Sequence, residues 1–130
     1  MDFNDKQAIY QQIADYVCEQ IVLLHWPPGE RIPSVRDLAA TVAVNPNTVA
    51  KTYDFLQQKE IIFNKRGIGY FVDASATEKI KAYRRERFLE TDLPEFFRNL
   101  YLLDIGMEDI ESRYHAFVKK TYPAIKNEAP

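Results

Sequence analysis

A chain of 130 residues, 46% hydrophobic and 28% charged, has room for one ordinary domain plus a short appendage and enough apolar material for a modest core. No stretch approaches the ~20 apolar residues of a membrane span, and the first residues lack the basic segment and apolar run of a secretory signal. With a single cysteine, Cys18, no internal disulfide can form, and a cytoplasmic protein is expected. Net charge is −2, and residues 1–75 hold 7 Lys and Arg against 9 Asp and Glu. Any phosphate contact must therefore rest on where cations point rather than on their sum. Between Asn45 and Arg66 the balance is locally basic, with Lys51, Lys59, Lys65 and Arg66 against Asp54 and Glu60.

Ile9, Ile13, Val17, Ile21 and Leu24 recur at three- and four-residue steps, which predicts an amphipathic helix over about 8–24. Trp26-Pro27-Pro28-Gly29 ends it, because consecutive prolines remove amide donors and restrict the backbone. Ser34 reads as the cap of a second, short helix closing near Ala43. Its hydroxyl can accept the Asp37 amide, Asp37 can reach back, and Leu38, Ala39 and Val42 face inward.

Asn45-Pro46-Asn47-Thr48 opens a third helix, since Asn is a favoured cap and Pro is tolerated in the first helical position. Val49, Tyr53 and Leu56 give its buried stripe, with Thr52 or Phe55 flanking, and it ends by Lys59. Ile61-Ile62-Phe63 and Gly69-Tyr70-Phe71-Val72 enclose the polar turn Asn64-Lys65-Arg66-Gly67 and read as a β-hairpin. Residues 73–77 form a polar junction, which divides the chain into domains 1–75 and 76–130.

From Glu78 the helical pattern resumes through Ile80, Tyr83, Phe88 and Leu89. Asp92 and Glu95 can cap a fresh helix with Pro94 near its start; alternatively Pro94 kinks one long helix. Phe96, Phe97, Leu100, Tyr101 and Leu103 follow, and a last helix carries Ile110, Tyr114, Phe117 and Val118.

Helix, short helix, tight turn, helix, hairpin is the layout of a winged helix-turn-helix. The fold class is therefore mainly α with a small β-hairpin, followed by a short helical segment. In that layout the third helix keeps Val49, Tyr53 and Leu56 on the core and projects Asn45, Asn47 and Thr48 outward. A major groove admits one α-helix, whose N-terminus favours phosphate; Asn can pair bidentately with adenine, and Thr can meet a phosphate or a thymine methyl.

The segment PPGERIPSVRDLAATVAVNPNTVAKTYDFLQQKEIIFNKRGIGYFV resembles the DNA-binding domain of the GntR family of bacterial regulators, with the likeness spanning roughly residues 7–73. NPNTV at 45–49 and the short C-terminal part are similar to the YtrA-type branch, whose members lack a large effector domain. The resemblance implies double-stranded DNA as partner. It places Arg36 at the groove edge on phosphate or base, Asn45, Asn47 and Thr48 against the DNA, and Lys51 on phosphate or guanine. Lys65, Arg66 and Gly67 would form the wing that enters the minor groove. Pro46 and Ala50 stand where many relatives carry an arginine, so base preference does not transfer. Ala43 stands where the turn usually has Gly, at a cost of about 1–2 kcal/mol if the backbone there is left-handed.

The C-terminal segment holds Tyr83, Phe88, Phe96, Phe97, Tyr101, Tyr114, Phe117 and Tyr122, more rings than a few short helices can hide among themselves. A two-fold homodimer is expected, built mainly on residues 78–120 through the rings from Tyr83 to Phe117 with Leu100 and Ile110, its recognition helices about 34 Å apart on a near-palindromic site. Repression is the expected outcome, and a small effector would have to bind at the dimer interface or between domains.

Other signals are bland. Cys18 sits beside core positions, and His25 is isolated. His115 follows Glu108, Asp109 and Glu111, but neither a metal nor a cofactor is assigned. Gly67-Ile68-Gly69 lacks the third glycine and the following helix of a dinucleotide loop. Arg84, Arg85 and Arg87 read as a solvated helix face. With no nucleophile–base pair, an enzyme is not expected. The competing class is a winged-helix protein-interaction module, which the mildly acidic balance motivates.

Overall fold

The structure, a computed structural model, describes residues 7–123. Its elements are α1 (Ile9–Val22), α2 (Val35–Val42), α3 (Pro46–Gln58), β1 (Ile62–Lys65), β2 (Gly69–Val72), α4 (Ala76–Arg87), a π-helical turn (Phe88–Asp92), α5 (Leu93–Leu102) and α6 (Met107–Thr121). The chain is mainly helical with one antiparallel hairpin, in the winged helix-turn-helix order.

One core unites the first compact unit, which runs as far as Arg85. Ile13, Ala14, Val17, Cys18 and Ile21 of α1 meet Leu38, Ala39 and Val42 of α2 and Val49, Tyr53 and Leu56 of α3. Ile62 and Val72 of the hairpin close it, together with Ala76 and Ile80 of α4. Those last two lie four residues apart on one helical face and are fully or almost fully buried. The first turns of α4 thus belong to the same unit as the wing, past the polar junction at 73–77.

Helix α1 stops at Val22, and the two ends of its predicted stripe, Ile9 and Leu24, are exposed. Leu24 takes a positive φ of 63°. The carbonyls of Glu19, Gln20 and Ile21 accept from the amides of residues 23–26, so the helix is closed before the prolines are reached. Ser34 Oγ accepts the Asp37 amide at 3.1 Å and starts α2 as the sequence predicts. Ala43 does occupy the left-handed region, at φ 57° and ψ 50°. Its amide returns to the Ala39 carbonyl, which turns the chain sharply toward α3.

In the hairpin Ile62 pairs with Val72, Phe63 with Phe71, Asn64 with Tyr70 and Lys65 with Gly69. Asn64 and Lys65 are therefore strand residues rather than part of the turn, which shrinks to Arg66-Gly67-Ile68. Gly67 supplies the positive φ, 78°, that so tight a return requires. Residues 29–32 run along the other edge of β2. The Gly29 amide donates to Val72 O, the Val72 amide to Glu30 O and the Ile32 amide to Tyr70 O, and Arg31 bridges Phe71.

The second unit begins at Glu86. Of the two alternatives at Pro94, the chain stays helical: Asp92 has helical dihedrals and makes no side-chain cap, so the fresh start predicted there does not form. The Leu93 amide reaches back five residues to Phe88 O. A prolyl ring in an unbroken α-helix collides with the carbonyl four residues earlier, here Glu90, and the widened turn relieves that collision. Among the described residues of this unit, Leu100 is the buried one. The Ile105 amide closes α5 onto Leu100 O, with Asp104 at a positive φ of 56°. Helix α6 carries Glu108 and Asp109 in its first turn and Lys119 and Lys120 in its last, charges that suit its dipole.

Candidate nucleic-acid interface

Helix α3 is fixed along its flank and left open at its leading end. Val49, Thr52, Tyr53 and Leu56 are buried. The Tyr53 hydroxyl donates to Pro33 O at 2.7 Å, and the Thr52 hydroxyl lies 2.9 Å from Thr48 O and 3.2 Å from Tyr10 O. Burial, with Tyr70 and Asp37 adding to it, pushes the Tyr53 phenol well above its ordinary value, so it is held as a neutral donor. The ring also meets Tyr70 edge to face across 4.8 Å, which ties α3 to the wing.

At the open end, Asn45 Oδ1 accepts the Asn47 amide at 2.7 Å and Pro46 occupies the first turn. Asn45 and Asn47 are exposed and Thr48 is half-buried. Arg36 is exposed in the first turn of α2. Arg66 and Gly67 are exposed at the hairpin tip. All of these residues belong to the first unit, at the starts of two helices and the end of the wing.

Two predicted contacts are partly engaged within the chain. The Lys51 ammonium sits 4.5 Å from the centre of the Tyr10 ring, and that of Lys65 lies 4.4 Å from the Phe71 ring. Both side chains remain exposed, so each ring holds a cation in place without hiding it. Phe63 and Phe71 stack across the hairpin at 5.7 Å, giving Lys65 an apolar bed.

Arg31 is a residue that the sequence reading passed over. It is exposed, and its guanidinium group lies across Gly69 so closely that a Cβ on Gly69 would stand 2.8 Å from Arg31 Nε. A glycine inside a strand pattern is the available signal, since it marks a close approach by another group.

Among the nine residues predicted to form an association surface, Phe88, Phe96, Phe97, Tyr101, Tyr114 and Phe117 are exposed, and Tyr101 reaches 83%. Ile110 is half-buried. Tyr83 and Leu100 differ: Tyr83 packs edge-on against Phe55 at 5.4 Å within the first unit, and Leu100 is buried in the second. Their side chains serve the interiors of the two units. The sequence reading left out Leu89, Leu102 and Met107, all exposed apolar residues of the second unit.

Among the described residues no cluster of three His, Cys, Asp or Glu could hold a metal ion, and no helix is long and apolar enough to cross a membrane. Cys18 is buried in the core. Asp73, at the foot of α4, has its carboxyl held below the usual value, chiefly by hydrogen bonds from the Ser75 hydroxyl and amide.

Comparison with known proteins places this arrangement. Residues 9–72 match the family described as bacterial regulatory proteins, gntR family. The chain is 38% identical over 108 residues to the HTH-type transcriptional regulator YhcF of Bacillus subtilis, covering 83% of this chain and 88% of that one. It is 37% identical over 76 residues to the HTH-type transcriptional repressor YtrA of the same organism, covering 58% of each, which supports the YtrA-type branch. A solved GntR-family regulator from Bacteroides thetaiotaomicron superposes with a TM-score of 0.75 at 45% identity, over 87% of this chain and 98% of that one. The chain belongs to the GntR family of bacterial regulators, DNA-binding transcription factors rather than enzymes.

Proposed function

We propose that the protein is a repressor that binds a near-palindromic operator as a homodimer. The observation that carries this reading is the state of α3, anchored by Tyr53 and Leu56 while Asn45 and Asn47 stand exposed at its start. Asn47 and Thr48 read bases in the major groove, Asn45 caps and contacts backbone, and Arg36 and Lys51 meet phosphate or a base. The wing, with Lys65, Arg66 and Gly67, enters the minor groove beside them. Likeness to a repressor supports the direction of control, since occupancy of promoter DNA blocks polymerase without any further surface.

The exposed rings of the second unit support self-association. Phe96 and Phe97 of α5 and Tyr114 and Phe117 of α6 are large rings left exposed, the kind of surface that marks an association site when it is contiguous. A second copy covers them, and a two-fold axis sets the spacing of the recognition helices. Selection of bound sequences from random DNA should return an inverted repeat, and sedimentation should give a dimer at micromolar concentration. A monomer, or enrichment of no common sequence, counts against this reading and favours a protein-interaction module instead.

A further inference from the structure

We propose that a groove between the end of α1 and one face of α4 binds a small amphipathic anion, an apolar body bearing one carboxylate or phosphate. The groove measures about 390 Å³ and is lined by Val22, Thr77, Ile80, Lys81, Arg84 and Arg85. That volume falls within the ~300–1,000 Å³ of small-molecule sites. Its α4 residues stand at positions i, i+3, i+4, i+7 and i+8, which place them on one stripe of the helix.

The stripe changes character along its length. Ile80 is buried against the core, whereas Lys81, Arg84 and Arg85 are exposed around an apolar floor completed by Val22. Among the described residues none of these cations has an ion pair or a side-chain hydrogen bond. The acids on the same two helices, Asp15, Glu19, Glu78 and Glu86, do not line the groove.

Three like charges over one apolar surface repel one another and concentrate counter-ions. An anion relieves that repulsion, and an attached apolar chain covers Val22, which is 44% exposed. Neither part suffices alone: a bare anion stays hydrated, and a neutral chain leaves the cations uncompensated. None of Arg36, Asn45, Asn47, Thr48 or Arg66 lines the groove, so its occupancy and DNA contact can be measured separately.

The test uses the full chain titrated with octanoate, below its micellar concentration, by calorimetry and by amide NMR shifts. Octanoate should bind saturably and move the amides of Val22 and of residues 77–85. Octanol, acetate and inorganic phosphate should each bind at least about tenfold more weakly. The double variant Lys81→Ala/Arg84→Ala should lose octanoate affinity by about tenfold or more while its thermal melt and its DNA shift without ligand are unchanged. Val22→Glu, which places a carboxylate in the groove, gives an independent version of the same loss. No saturation, octanol binding as tightly as octanoate, shifts centred elsewhere, or undiminished binding in both variants overturns the proposal.

Discussion

The hydroxyl of Tyr53, midway along α3, donates to the carbonyl of Pro33, just before α2, at 2.7 Å. This bond joins the recognition helix to the segment that enters the second helix, and it does so within a ring contact to the wing. The starts of α2 and α3 and the wing, the three parts of the proposed DNA-facing surface, are therefore referred to one buried side chain. Tyr53→Phe should lower unfolding free energy by about 1 kcal/mol, since it leaves the Pro33 carbonyl without that donor. Tyr53→Ala should cost about 3–5 kcal/mol by emptying the centre of the core. Urea unfolding followed by circular dichroism measures both.

Arg66 and Asn47 should fail in different ways. Arg66→Ala removes an exposed charge at the wing tip, so affinity should drop alike on all duplexes and the salt slope should shrink by about one. Asn47→Ala should cost about 1–3 kcal/mol on the operator, change the preferred base there, and leave the salt slope intact. Mobility shifts over a salt series, on operator and random duplexes, tell the two apart; identical behaviour would refute the division of labour.

Gly69 keeps room for Arg31. Gly69→Ala puts a methyl group 2.8 Å from Arg31 Nε at a backbone φ of 146°, so the guanidinium must move. If Arg31 is held there to meet phosphate, Arg31→Ala and Gly69→Ala should each weaken DNA binding by about 1 kcal/mol. The double variant should be no weaker than Arg31→Ala alone. Additive losses would show instead that backbone strain at Gly69 is the whole effect.

Ala43 is a position where the chain accepts strain. Its left-handed backbone costs a non-glycine residue about 1–2 kcal/mol, offset in part by the entropy that glycine would lose. Ala43→Gly should raise stability by about 1 kcal/mol with operator affinity unchanged, read from paired melts and binding curves.

Asp73 gives the folded protein a pH dependence of known sign. Its folded pKa lies below its unfolded value, so its contribution is present above the ordinary carboxylate value and is lost as pH falls through the depressed one. Ser75→Ala should move the Asp73 titration upward in carboxyl NMR. The stability gap between this variant and the parent should close as the solution is acidified through that window.

Much of this was legible from spacing and local chemistry. The Ser34 and Asn45 caps, the α3 stripe and the hairpin each follow from rules that act within a few residues, and each formed. What escaped depended on contacts between distant segments. Tyr83 looks like one ring in an aromatic series, and only the packing of α4 shows that Phe55 claims it. Arg31 reads as a loop cation until β2 is laid beside it. Asp92 carries a cap signature, yet the widened turn satisfies the backbone by a longer hydrogen bond and makes the cap unnecessary.

The cap at Asn45 leaves an asymmetry. One lone pair of its carbonyl oxygen is taken by the Asn47 amide, so the Asn45 amide group is pinned in orientation and keeps its –NH₂ and a single acceptor site for an outside partner. Two-point recognition of adenine asks the amide plane to align with the base edge, which Asn47 can do by rotating and a pinned Asn45 must do as it stands. In the proposed complex, position 47 therefore carries the adjustable amide of the helix tip and position 45 the fixed one.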